Sequence, residues 1–253
     1  MTTRIDPIRE KYYKPLEIAE KISGFLFYIL ASLSFATLVI ERNESPLLHQ
    51  TIALSFVVLV VTYFVINLIS RYYLFPRAED ARRREFVSNV YEISLTHETT
   101  VGYYNNTEQN SNKRLIITLL ENTFFSKNIL ALMLKRERVK IAIYITLFLV
   151  LITLRTTPLD LVIACSQVLL SEEVLVRWVR MEWLKARAED CYETCYRVIQ
   201  SEVRGKTLQA LGIEWFGKYE SGKTLAGVVQ SEAVFNRLND RLSQEWEVIK
   251  QTL

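Results

Sequence analysis

The sequence predicts an all-α membrane protein: two transmembrane helical hairpins, four spans in all, with helical cytoplasmic segments. Three observations lead there. Half of the 253 residues are hydrophobic and the mean hydropathy is slightly positive, although 23% are charged. A chain combines those values only by segregating its apolar residues into blocks, and two long blocks carry no charge at all. Seven glycines and five prolines are too few for a turn-rich all-β fold.

Residues 1–21, "MTTRIDPIREKYYKPLEIAEK", are too charged, over too long a stretch, for a cleaved signal peptide and are read as a cytoplasmic segment. Residues 22–70 form the first hairpin. Its spans, 22–40 and 51–70, are uncharged and match the roughly 20 residues a helix needs to cross a bilayer core. The polar turn "ERNESPLLHQ" joins them. Residues 139–179 form the second hairpin, with spans 139–154 and 159–179 around "RTTPLD". The last span contains Glu172 and Glu173, and each acid at a span centre costs about 2.5–3.5 kcal/mol. Both therefore belong near the inner interface, where headgroup water relieves the cost.

Orientation follows from Lys and Arg. The hairpin turns offer only Arg42 and Arg155, whereas Arg4, Arg9, Lys11, Lys14, Lys21, Arg71, Arg77 and the runs at 82–84 and 135–140 flank the other ends. Positive-inside places both termini and the middle segment, 71–138, in the cytoplasm. That segment and the tail, 180–253, read as helix, apart from the loop "TTVGYYNNTEQNSN" at 99–112. In the tail, Val228, Phe235, Leu242 and Ile249 recur every seven residues, with Leu238 and Trp246 nearby. Such a stripe requires a partner helix, from this chain or another copy. "RAED" occurs at 77–80 and again at 187–190, each time just inside a hairpin's return span, as duplication of a hairpin-plus-helix unit would produce.

Several chemistries receive little support. Two histidines and three cysteines make no plausible metal cluster, and no disulfide set or cofactor is expected. A net charge of +3 does not argue for binding nucleic-acid duplexes. "GKYESGKT" at 217–224 fits the phosphate-loop pattern, but a match with so few fixed positions arises by chance in roughly one such chain per hundred. A working phosphate loop joins a buried strand to a helix, and no strand–helix alternation surrounds this one. The expectation is a turn between two cytoplasmic helices, with Lys223 solvated and no catalytic residues. A membrane enzyme built on the motif remains the alternative it would support.

Two constellations point to function. In the fourth span, Asp160, Gln167 and Ser171 fall at offsets of seven and four, on one helical face; oligomerised copies would line a pore, with Glu172 or Glu173 forming an acidic ring at its inner mouth. Interhelical hydrogen bonding is the simpler use of such residues, and Asn67 and Ser70 are read in that way. In the middle segment, Arg82, Arg83 and Arg84 are near Tyr103, Tyr104, Asn105 and Asn106 in sequence, with Lys127 beyond a further helix. Guanidinium groups grip phosphate, aromatic faces stack on bases and amides read base edges, which together suit a nucleotide. Contact with anionic headgroups is the competing use of the arginines.

The segments "FPRAEDARRREFVSN", "GYYNN" and "ENTFFSK", set between two membrane hairpins, resemble the four-transmembrane effector family found beside cGAS-like (SMODS) nucleotidyltransferases in bacterial CBASS anti-phage operons. The resemblance covers residues 22 to about 187. It implies an oligomeric, non-enzymatic effector of the bacterial inner membrane that responds to a cyclic oligonucleotide by forming a pore or disrupting the bilayer. Its sensor candidates are Arg82, Arg83, Arg84, Tyr103, Tyr104, Asn105, Asn106, Glu121, Asn122 and Lys127. A non-conducting membrane scaffold with a helical interaction module is the other reading.

Overall fold

The computed structural model describes residues 5–40, 45–104, 106, 108–154 and 156–253. Arg4, Arg42, Asn105 and Arg155, all named above, lie outside them. The described chain is helical with no strand; a single antiparallel bridge joins Ile5 to Val101. Eight α-helices follow in order: α1 (Lys14–Val39), α2 (Pro46–Ile69), α3 (Phe75–Tyr91), α4 (Ser111–Thr153), α5 (Leu159–Leu169), α6 (Arg177–Gln200), α7 (Gly205–Ala226) and α8 (Glu232–Lys250). Short π-helical turns precede α1 (Arg9–Tyr13), α3 (Ser70–Leu74) and α6 (Glu172–Val176). The chain forms two compact units. The hairpin unit comprises Tyr13–Pro76 and Glu137–Trp178, and the core unit comprises Met1–Tyr12, Arg77–Arg136 and Val179–Leu253.

In the hairpin unit, α1 and α2 pack against each other. Pro46 stands at the first position of α2, where a missing N–H costs nothing. Arg9–Leu38 and Pro46–Tyr91 are long and apolar enough to cross a membrane, and the most apolar window of the second has no buried residue. Val57, Val58, Val61 and Phe64 are all exposed. A helix that is apolar all round and unburied by its own chain has the surface of one solvated by lipid.

The remaining two expected spans come out differently. Residues 115–134 and 139–153 belong to one helix, α4, because Lys135, Arg136 and Arg138 change the helix's surroundings but have good helix propensity. The stretch 159–179 is not one helix: α5 ends at Leu169, about 16 Å long at 1.5 Å per residue, which is half a bilayer core. Ser171 is extended, at φ −64° and ψ 162°, before the π turn begins. The break coincides with the two glutamates, which turn toward polar partners instead of lipid. Ile141, Leu169 and Val174 are buried here, with Phe27, Tyr144 and Phe148 against them.

The core unit gathers α3, the first half of α4, α6, α7 and α8 around Phe86, Leu115, Leu119, Leu120, Phe124, Cys191, Tyr219, Leu242 and Trp246. The Phe86 and Phe216 rings stack at 4.9 Å. The heptad stripe finds its partner within the chain: Phe235 lies 6.4 Å from Phe125, Trp246 lies 5.9 Å from Phe124, and Leu238 and Ile249 pack on the same core. Cys191 and Cys195 are buried with sulfurs 4.0 Å apart, while Cys165 in α5 is half-buried.

Candidate functional site

Successive helical residues point about 100° apart, so the three arginines of α3 separate. Arg82 turns toward the N-terminal segment and the loop before α4. Its Nη2 lies 2.7 Å from Asp6 Oδ2, both side chains are only 12% exposed, and its guanidinium sits 4.3 Å from the centre of the Tyr103 ring. Tyr103 meets Tyr104 edge-on at 4.8 Å, and Tyr104 meets Phe86 at 6.0 Å. Burial pushes the Tyr104 phenol well above its ordinary range, and the nearby Tyr103 and Glu85 push the same way. Glu85 accepts a hydrogen bond from Thr100.

Arg83 instead joins an ion-pair network, 3.4 Å from Asp80 and 3.6 Å from Glu220. Lys223 completes it, 2.9 Å from Glu220 and 3.1 Å from Glu79. Arg84 is exposed.

Asn106 and Lys127 have partners of their own elsewhere in the core unit. Asn106 donates to the Arg114 carbonyl and to Thr118 Oγ1, both at 3.1 Å, and accepts from the Glu108 N–H; it organises the start of α4. Glu121 is buried and Asn122 half-buried in α4. Lys127 faces α6, with Nζ 3.3 Å from the centre of the Tyr192 ring. Burial lowers its pKa, against the opposing pull of Glu189 and Glu193. Arg82, Tyr103 and Tyr104 are thus brought together, and Asp6, 76 positions earlier, is the partner that sequence reasoning missed.

The phosphate-loop match lies wholly inside α7, which corrects the expected turn. A helix commits its backbone N–H groups to internal carbonyls, so they cannot wrap a phosphate. Thr224 Oγ1 donates to the Glu220 carbonyl at 3.0 Å, and Lys223 is ion-paired, not solvated. Gly222 serves packing: a Cβ there would meet Arg187 Cγ at 3.1 Å. The helix stops at Gly227, whose φ of +56° suits glycine and whose N–H reaches the Lys223 carbonyl.

In the hairpin unit, the expected polar face of the fourth span is divided. Asp160 and Gln167 are exposed on α5, and Ser171, beyond its end, donates to the Val168 carbonyl at 2.7 Å. Glu172 is 2.8 Å from Arg71. Glu173 turns toward the first hairpin, 3.4 Å from both Ser23 Oγ and Tyr63 OH and 3.8 Å from Arg177. The Ser23 hydroxyl also lies 3.1 Å from Asn67 Oδ1, and Asn67 donates to the Tyr63 carbonyl. Within this chain the Glu173 carboxylate ties the turn before α6 to α1 and α2. Among the described residues, no three His, Cys, Asp or Glu side chains are placed to hold a metal ion. No family model, curated protein or solved structure matches the chain.

Proposed function

We propose that the chain is a four-span, multi-pass effector of the bacterial inner membrane with both termini cytoplasmic. It senses a cyclic oligonucleotide through its core unit, oligomerises, and opens or disrupts the bilayer, as the CBASS resemblance implies. The observation that carries the sensing half is the Arg82 guanidinium over the Tyr103 ring, beside Tyr104. That pairing offers a charge for phosphate and an aromatic surface for a base. The lipid-compatible surface of α2 supports the membrane half. In the fourth span, α5 and the following π turn share the crossing. A ligand that prefers the active state a hundredfold biases it by about 2.7 kcal/mol, and oligomerisation multiplies that bias.

The test is dye release from liposomes carrying the full chain, challenged with a panel of cyclic di- and trinucleotides. Release with one cyclic nucleotide, lost in Tyr103→Ala, is expected; release indifferent to every nucleotide removes the sensing half. The second reading, a non-conducting scaffold, is favoured by Glu173 facing its own first hairpin instead of a lumen. Single-channel recording separates the two, since a scaffold conducts under no ligand. Residues 217–224 offer no phosphate cradle for an enzyme, because the segment is helical.

A further inference from the structure

We propose that Asp6 is the resident occupant of a phosphate subsite on Arg82, and that an incoming phosphate displaces it together with the N-terminal strap. The identity of the physiological ligand rests on the nucleotide-sensing reading; the occupied subsite rests on contacts within the core unit. Arg82 and Asp6 are paired at 2.7 Å with little exposure of either. A group that takes the place of Asp6 meets the same little-exposed guanidinium charge, which favours an anion there. A phosphate satisfies that need and matches the planar fork of donors better than most anions. Tyr103, under the guanidinium at 4.3 Å, fixes its plane and offers an aromatic surface for a ring attached to that phosphate.

The same carboxylate has a second duty. Its other oxygen accepts the Arg9 N–H at 3.0 Å, capping the π turn Arg9–Tyr13 that runs directly into α1. The strap is held at two further points: Ile5 and Val101 exchange both backbone hydrogen bonds, at 3.1 and 2.9 Å, and Lys11 and Tyr12 reach Glu98 at 2.5 and 3.2 Å. Val101 is two residues from Tyr103, so strap and subsite share one short stretch of backbone. Displacing Asp6 therefore uncaps the turn leading into α1. By linkage, anything that loosens the strap must tighten phosphate binding by the same factor.

The experiment titrates the full chain in detergent with inorganic pyrophosphate and separately with cyclic dinucleotides, following amide exchange over residues 5–13. Asp6→Asn keeps the capping oxygen but removes the charge. It should bind pyrophosphate at least tenfold more tightly than wild type, and its amides over 5–13 should exchange at least tenfold faster without ligand. Glu98→Gln touches neither Arg82 nor Tyr103, yet should also tighten pyrophosphate binding severalfold. Asp6→Asn/Arg82→Ala should lose the gain, with circular dichroism confirming that it is folded. Unchanged pyrophosphate affinity in Asp6→Asn overturns the subsite, and unchanged affinity in Glu98→Gln overturns the strap coupling. If pyrophosphate behaves as described but no cyclic nucleotide binds any variant, the sensing reading falls and the subsite stands.

Discussion

Lys223 lies 3.1 Å from Glu79, and this ion pair joins α7 to α3 in the core unit. Glu220 and Arg83 extend it, so a residue that would reach for terminal phosphates in a phosphate loop is bound to carboxylates of its own chain. Removing one partner of such a buried pair leaves an uncompensated charge, which costs about 3–5 kcal/mol. Lys223→Ala should lower stability by an amount near that range, read by chemical denaturation, and Lys223→Ala/Glu79→Gln should recover part of the loss. A Lys223→Ala protein with full stability would show the network to be unimportant.

The glycines of α7 give opposite expectations. A Cβ at Gly217 meets nothing within 4 Å, so Gly217→Ala should stabilise the helix by about 0.5–1 kcal/mol. At Gly212 the new methyl would meet Leu115 Cδ2 at 2.9 Å, and overpacking of this kind costs about 1–3 kcal/mol, enough to cancel or reverse the helix gain. Thermal melts of the two variants should therefore move apart. Movement of both in the same direction would contradict the packing of α7 on α4.

Charge-free runs made α2 legible from sequence, because no soluble core in this chain is large enough to surround Val57, Val61 and Phe64. Residues 217–224 were not legible. Glycine is a weak helix former, and the close packing of Arg187 and Trp183 where a Cβ of Gly222 would lie is not encoded in local sequence. Lys135 to Arg138 read as a boundary because their charges mark a change of surroundings, while the backbone passes through it unbroken. Asn106 looked like a base-reading amide; its proximity to Thr118 and Arg114 made it a local cap. Asp6 could not be matched to Arg82 by any short-range pattern, and so this little-exposed ion pair of the candidate site was also among its least visible contacts.

Glu98 should make the strap acid-labile. The hydrogen bond from Lys11, with Thr96 and Tyr12 adding to it, holds its carboxyl at about 2, below the ordinary 4.5. A carboxylate with a depressed pKa contributes stability that is complete above its unfolded value and fades as the pH falls through the folded one. Protection of the Ile5 and Val101 amides, taken relative to the intrinsic exchange rate at each pH, should fall between about pH 4.5 and 2, and Glu98→Gln should remove that fall. Protection that is constant across this window in the native protein would show the Lys11 contact to be without consequence.

Glu173 distinguishes a tie from a pore lining. Residues that share a hydrogen-bond network couple by about 0.5–3 kcal/mol. A double-mutant cycle between Ser23→Ala and Glu173→Gln, followed by thermal unfolding in detergent, should give a coupling energy in that range. Asp160→Asn, at an exposed position on α5, should change stability little. Additive effects in the cycle would detach Glu173 from the first hairpin.

The three thiols form a reporter set that needs no engineering. Cys191 and Cys195 are shielded inside the core unit, and their mutual contact, with burial adding to it, pushes the Cys191 thiol up, away from the reactive thiolate. Cys165 is the accessible member. A membrane-permeant maleimide should therefore label α5 first, and the slower modification of the α6 pair would clock each opening of the helical core in the native protein.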